Sequence, residues 1–182
     1  MRFDISYQLT HFTTGDSEED AFTNLVNIIN QRTIVGSGDK IRGGYPCVCF
    51  TEAPLDSLSG RFVNPTAYSR YSPFGIIVDK RYLFDLGARP VIYGPSQDFT
   101  ILPEELRWRY VKYDPTSDPP TDFTWEREWR IQAEELRIGP EMAGVVMPAG
   151  EWGRRLVDAQ NEEQDWVVRQ YSLLFDSTVA EQ

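Results

Sequence analysis

The stretch Trp125-Glu126-Arg127-Glu128-Trp129-Arg130 leads out of a Pro- and Asp-rich loop, and its alternation of aromatic and charged residues decides how the chain is read. Period-two alternation predicts Glu126, Glu128 and Arg130 on one face of a strand, with Trp125, Arg127 and Trp129 on the other. Two carboxylates on one face repel each other unless a cation or a ligand hydroxyl lies between them. Arg130 on the same face supplies that cation in one reading, a surface Glu–Arg ladder flanked by packing tryptophans. In the other reading the paired acids mark a working site.

Strand signals surround this stretch on both sides. Downstream, 129–133 continues the strand and the apolar run 143–147 forms another. Upstream, 6–12 alternates apolar positions at Tyr7 and Leu9, and Ser17 with Asp20 resembles a capping box before a helix over 18–31. That helix places Phe22, Leu25, Val26, Ile28 and Ile29 mostly on one face. The run 47–51, bounded by Pro46 and Pro54, and the run 74–78 read as buried strands. A short helix over 81–86 ends at Gly87, and 90–93 forms a further strand. Segment 103–113 is helical or extended, while 56–73 and 114–122 are loops. Segments 150–158 and 162–170 have mixed or helical character, and 171–175 reads as a closing strand. The sum is a single α+β domain over 1–182 with a mixed, bent or split β-sheet.

Composition bounds the function. A chain of 182 residues with a 41% hydrophobic share is of ordinary globular composition. The formal net charge is -10, from 18 basic against 28 acidic side chains. Extended nucleic-acid binders carry the opposite balance, because phosphate neutralisation drives their affinity; a local basic patch remains compatible with a nucleotide ligand. No apolar run approaches the roughly 20 residues that span a bilayer. The N-terminal Met-Arg-Phe-Asp-Ile-Ser is no secretory signal, since Asp4, Thr10 and His11 interrupt any apolar core, so a cytoplasmic protein without membrane contact is expected. Cys47 and Cys49 share one strand face and read as reduced, half-buried thiols. His11 is the only histidine, which leaves no ligand set for a zinc site.

His11 and Thr13 lie together near the end of the first strand and form a small cluster of hydrogen-bonding groups, suited to a ligand or to structural bonds. The Gly-rich stretch 36–44 matches neither a P-loop nor a dinucleotide-binding glycine motif. Thr51-Glu52 before Pro54 suits a cleft edge or an ordinary strand end.

Taken in order, several segments resemble the AbiGi family associated with abortive phage resistance: His11-Phe12-Thr13, then Val48-Cys49-Phe50-Thr51-Glu52-Ala53-Pro54-Leu55, Tyr71-Ser72-Pro73-Phe74-Gly75-Ile76, Gly87-Ala88-Arg89-Pro90-Val91-Ile92-Tyr93 and Glu126-Arg127-Glu128-Trp129-Arg130-Ile131. The likeness runs from about residue 7 to 148. A more distant one is to the DarT-type ADP-ribosyltransferases, which have an early His-x-Thr strand, a Phe-Ser/Thr strand before a proline and a late strand opening on a catalytic Glu. This second resemblance implies an ADP-ribosyltransferase-like fold and NAD as substrate. It implies Glu128 as the catalytic carboxylate beside the nicotinamide ribose, while Glu126, two residues earlier, repeats the Glu-x-Glu spacing of the arginine-modifying ADP-ribosyltransferases, a likeness that implies acceptor activation by Glu126. His11 and Thr13 would then sit at the NAD site, Thr51 would support Glu128, and Tyr71 or Phe74 would stack on the nicotinamide ring. The AbiGi likeness also implies a protein partner (a toxin, an antitoxin or a phage factor) and the alternative of a non-catalytic antitoxin on the same scaffold.

Overall fold

The computed structural model describes residues 5–54, 72–148, 151–160 and 166. The strands form where apolar residues alternate or run between turn residues: β1 (Gln8–Phe12), β3 (Cys47–Thr51), β4 (Gly75–Asp79), β8 (Glu128–Gln132) and β10 (Ala143–Val146), with the two-residue β5 (Arg89–Pro90). These make one six-stranded sheet in the order β10-β4-β1-β3-β8-β5, antiparallel at every pairing. Pro90, which has no N–H to give a ladder, lies in the edge strand β5. Two small ladders flank this sheet. The strand β2 (Thr33–Val35) pairs antiparallel with β9 (Glu135–Arg137), and β6 (Ile92–Gly94) pairs parallel with β7 (Tyr110–Lys112). The result is an α+β arrangement with a mostly antiparallel sheet.

The joint in the middle of the sheet is thin. Pairings β1–β4 and β3–β8 each run over five residue pairs, whereas β1 and β3 meet at the single pair Thr10↔Thr51. Two three-stranded blocks therefore diverge on either side of that pair.

Helix α1 (Glu18–Gln31) closes over the sheet. Ser17 caps it by accepting the Asp20 N–H at 3.1 Å, and Glu18, Glu19 and Asp20 place negative charge on its first turn, where the helix dipole favours it. Ala21, Phe22, Leu25 and Ile29 join Leu9, Val48, Phe50, Ile76, Val78 and Ile131 in the main core. The short α2 (Lys80–Asp85) is capped by Asp79 and is followed by Gly87 at φ 104°, a left-handed position that glycine takes without strain. α3 (Asp98–Ile101) and a 3-10 helix (Glu104–Arg109) lead into β7, and α4 (Glu151–Ala159) returns to the core through Leu156.

Several expectations change. Tyr7 is not a core position: it precedes the strand and is 70% exposed, while Leu9 is fully buried. The strand expected over 90–93 is two strands, because the chain leaves the main sheet after Val91, whose N–H still reaches Glu128 O at 3.0 Å. The segment 103–113 is a 3-10 helix and then a strand. The β2–β9 ladder had no counterpart in the sequence reading. Most of 162–170 and all of 171–175 lie outside the described residues; Trp166 is fully buried in the core. Among the described residues no helix is long and apolar enough to cross a membrane.

The strand boundary can be checked by paired truncations. Leu9→Ala is expected to cost about 2–5 kcal/mol through the cavity it leaves. Tyr7→Ala is expected to change stability by less than about 0.5 kcal/mol. Urea unfolding of both variants measures the difference, and similar losses would contradict the placement of the strand.

Candidate functional site

Where β1 and β3 part, a cleft of about 650 Å³ opens, lined by His11, Cys49, Thr51, Glu126 and Glu128 from the sheet side and by Asn27 and Gln31 from α1. This size is typical of small-molecule sites. A second chamber of about 410 Å³ adjoins it and shares Thr14, Lys40, Ile41, Cys49, Glu126 and Glu128. The two acids form the common wall.

The acids reach that wall by a different route from simple alternation. Thr124–Glu126 is a 3-10 turn and Arg127 is left-handed at φ 45°, so the extended strand begins only at Glu128. Glu126 and Glu128 nevertheless both face the cleft, because the turn brings Glu126 back to it. Thr51 fixes this turn. Its hydroxyl donates to Glu126 O and accepts the Ala53 N–H at 3.0 Å, while Thr51 itself lies opposite Glu128 in the ladder. Thr51 thus supports Glu128 through the backbone of the preceding turn.

Glu128 is held by Arg130. Arg130 Nε donates to Glu128 Oε1 at 2.7 Å and Nη2 to Oε2 at 3.2 Å, a two-pronged contact. Arg130 is buried, and its Nη1 donates to the carbonyls of Trp108 at 2.8 Å and Tyr110 at 3.1 Å. Burial works against this cation, but the hydrogen-bonded Glu128 carboxylate outweighs it and holds the guanidinium above its ordinary value. Tyr93, which sequence reasoning missed, accepts the Glu128 N–H at 3.3 Å and donates to Phe123 O at 3.1 Å. Burial, with smaller contributions from the two acids, pushes its phenol up to about 12. On the other face of β8, Trp129 Nε1 donates to Glu52 Oε2 and Lys80 Nζ to Glu52 Oε1, both at 2.7 Å, so Glu52 is a structural bridge.

His11 spans the parted strands. Its Nδ1 lies 2.8 Å from Cys49 O, and since a carbonyl only accepts, Nδ1 carries the proton. Burial lowers the His11 pKa, so the ring is neutral and Nε2 presents a lone pair. Cys47 and Cys49 are free thiols on the cleft face, both pushed up by burial (Cys47 to about 11), and are therefore weak nucleophiles.

The remaining expected site residues divide. Thr13 lines the cleft, but its hydroxyl proton is shared between Ala21 O at 2.8 Å and Phe74 O at 3.0 Å, so it ties β1 to α1. Phe74 does not face the cleft: it is fully buried against Phe22 and Trp152, which removes it as a stacking surface for a ligand. Tyr71 lies outside the described residues. Compared with known protein families, curated proteins and solved structures, the chain matches none.

Two outcomes follow for stability. Glu128→Ala leaves the Arg130 cation buried without a counter-ion and is expected to cost about 3–5 kcal/mol, a loss that Glu128→Leu with Arg130→Met partly restores. Chemical denaturation of the single and double variants checks this. For His11 the folded ring binds a proton less readily than the unfolded ring, so its contribution is complete above the ordinary value of 6.5 and is lost as pH falls below it. His11→Asn is expected to flatten the fall in stability between neutral and mildly acidic pH; an unchanged pH profile would contradict the buried neutral ring.

Proposed function

We propose that this cleft binds NAD and that the chain is an ADP-ribosyltransferase-like or NAD-cleaving protein of a phage-defence or toxin–antitoxin system. The observation that carries the reading is the convergence of His11, Thr51, Glu126 and Glu128, from three strands far apart in sequence and the 3-10 turn before the last of them, on one cleft at the parting of the sheet. Neutral His11 offers Nε2 as an acceptor, which matches a ribose hydroxyl or the carboxamide N–H of nicotinamide.

The chemistry follows from the carboxylates. The nicotinamide–ribose bond breaks with its electron pair leaving on the nicotinamide nitrogen, and the ribose passes through an oxocarbenium-like cation. Arg130 engages each Glu128 oxygen once, and a carboxylate has about four lone-pair positions, so Glu128 retains capacity for the ribose 2′-hydroxyl. Glu128 faces the developing positive charge, and Glu126, on the same wall, takes the proton from the attacking acceptor.

One observation favours a second reading, a non-catalytic antitoxin or interaction protein on the same scaffold. Both Glu128 oxygens already accept from the Arg130 cation, which weakens the negative charge that a ribosyl cation needs. The net charge of -10 also suits a protein that covers a basic partner surface.

Calorimetric NAD titration of wild type and Glu128→Gln, with a nicotinamide-release assay on the same samples, separates the two. NAD is expected to bind both, with release by the variant slower by about 10²–10³-fold. Binding without release in either protein favours the non-catalytic scaffold, and no binding by wild type would sink the NAD reading.

A further inference from the structure

The second chamber carries a charge opposite to that of the chain. Lys40, Arg42, Lys112 and Arg130 line it against the two carboxylates Glu126 and Glu128, in a protein whose net charge is -10. Arg130 is consumed by Glu128, which leaves three cations against the single carboxylate of Glu126 in this chamber.

Each of the three is available to a ligand. Lys40 is exposed and has no hydrogen-bond or ion-pair partner among the described residues. The Arg42 guanidinium is oriented by stacking over Phe99, 4.3 Å from the ring centre, and by one bond from Nη1 to Ser96 O at 2.9 Å. Its other N–H donors are unengaged among the described residues, in the planar arrangement that matches phosphate oxygens. Lys112 has only a long 3.6 Å ion pair with Asp114. The loop that brings Lys40 and Arg42 to the chamber turns through Gly43 at φ 93° and Gly44 at φ 71°. A side chain at Gly43 would also meet the Phe99 ring on which Arg42 stacks, so glycine there protects the arrangement.

Cations with donors to spare, gathered in a concave site of an otherwise acidic protein, focus potential on an anion. We infer that the chamber lined by Lys40, Arg42 and Lys112 is a phosphate subsite. It holds the phosphate or diphosphate of a ligand whose sugar and ring occupy the adjoining cleft at His11 and Glu128. The inference deepens the functional reading above and rests on it for the identity of the rest of the ligand. The shared chemistry is a phosphate ester or anhydride, whether free diphosphate or a nucleotide.

The test is calorimetry at fixed ionic strength with inorganic diphosphate, ADP-ribose and NAD. The proteins are the full chain, Lys40→Gln/Lys112→Gln, and a control with the same charge change elsewhere, Arg81→Gln/Arg137→Gln. Diphosphate and ADP-ribose are expected to bind wild type and the control alike, and to bind the Lys40/Lys112 variant about tenfold or more weakly, since charge-assisted bonds are lost. Unmoved melting temperatures in both variants show that the fold is intact. Equal weakening in the control assigns the effect to net charge and overturns the subsite, as does a failure of diphosphate to bind. NAD binding that the Lys40/Lys112 change leaves untouched overturns the subsite while the NAD reading stands. Diphosphate binding with the expected loss, but without NAD or ADP-ribose binding, supports the subsite and counts against the NAD reading.

Discussion

The buried Arg130 guanidinium is the interaction on which the rest of the site depends. A cation removed from water must be paired and hydrogen-bonded, and Arg130 meets that demand in three directions at once. It takes the Glu128 carboxylate on the cleft wall, and it takes the carbonyls of Trp108 in the 3-10 helix and of Tyr110 at the start of β7. One side chain thereby joins the main sheet to the β6–β7 ladder and orients the acid between the two chambers. The same pairing sets the chemical question for Glu128. It pre-organises the carboxylate and also spends part of its charge, so the proposed activity and stability pull on the same residue.

The second constraint is the single residue pair that joins β1 to β3. A sheet that parted without compensation would leave carbonyls unsatisfied in a half-buried place. Cys49 O is satisfied by the His11 ring instead of by a strand, and Thr51 turns its hydroxyl to Glu126 O. Side chains replace ladder bonds along the opening, and those side chains are the ones that face the cleft. Construction of the opening and supply of polar groups to the cleft are therefore one arrangement.

Much of this was legible in the sequence where local signals act alone. Ser17 and the apolar spacing of α1 marked that helix at both ends, and the proline-bounded run at Cys47–Thr51 marked β3. The acidic pair at Glu126 and Glu128 was read as a shared face, and it is shared, although the cause is a 3-10 turn with a left-handed Arg127 and not strand alternation. What escaped notice depends on contacts between distant segments. Phe74 reads equally well as a cleft aromatic or a core residue, and only the packing of Phe22 and Trp152 around it decides. Tyr7 and Leu9 look alike in an alternating pattern, yet the strand begins between them. Lys112 lies far along the chain from Lys40 and Arg42, so their gathering in one chamber had no local signature. Two cations within a Gly-rich stretch of an acidic chain were the available hint.

His11 is the single histidine, so its ring gives one unambiguous set of nitrogen signals. The most direct measurement is a long-range ¹⁵N–¹H correlation spectrum of that ring at neutral pH, with and without NAD. The account requires a neutral ring with the proton on Nδ1, and an Nε2 signal that shifts as NAD is added while Nδ1 stays bonded to Cys49 O. A proton found on Nε2, or a ring unmoved by NAD at saturating concentration, would contradict the claim that the opening between β1 and β3 is the ligand site.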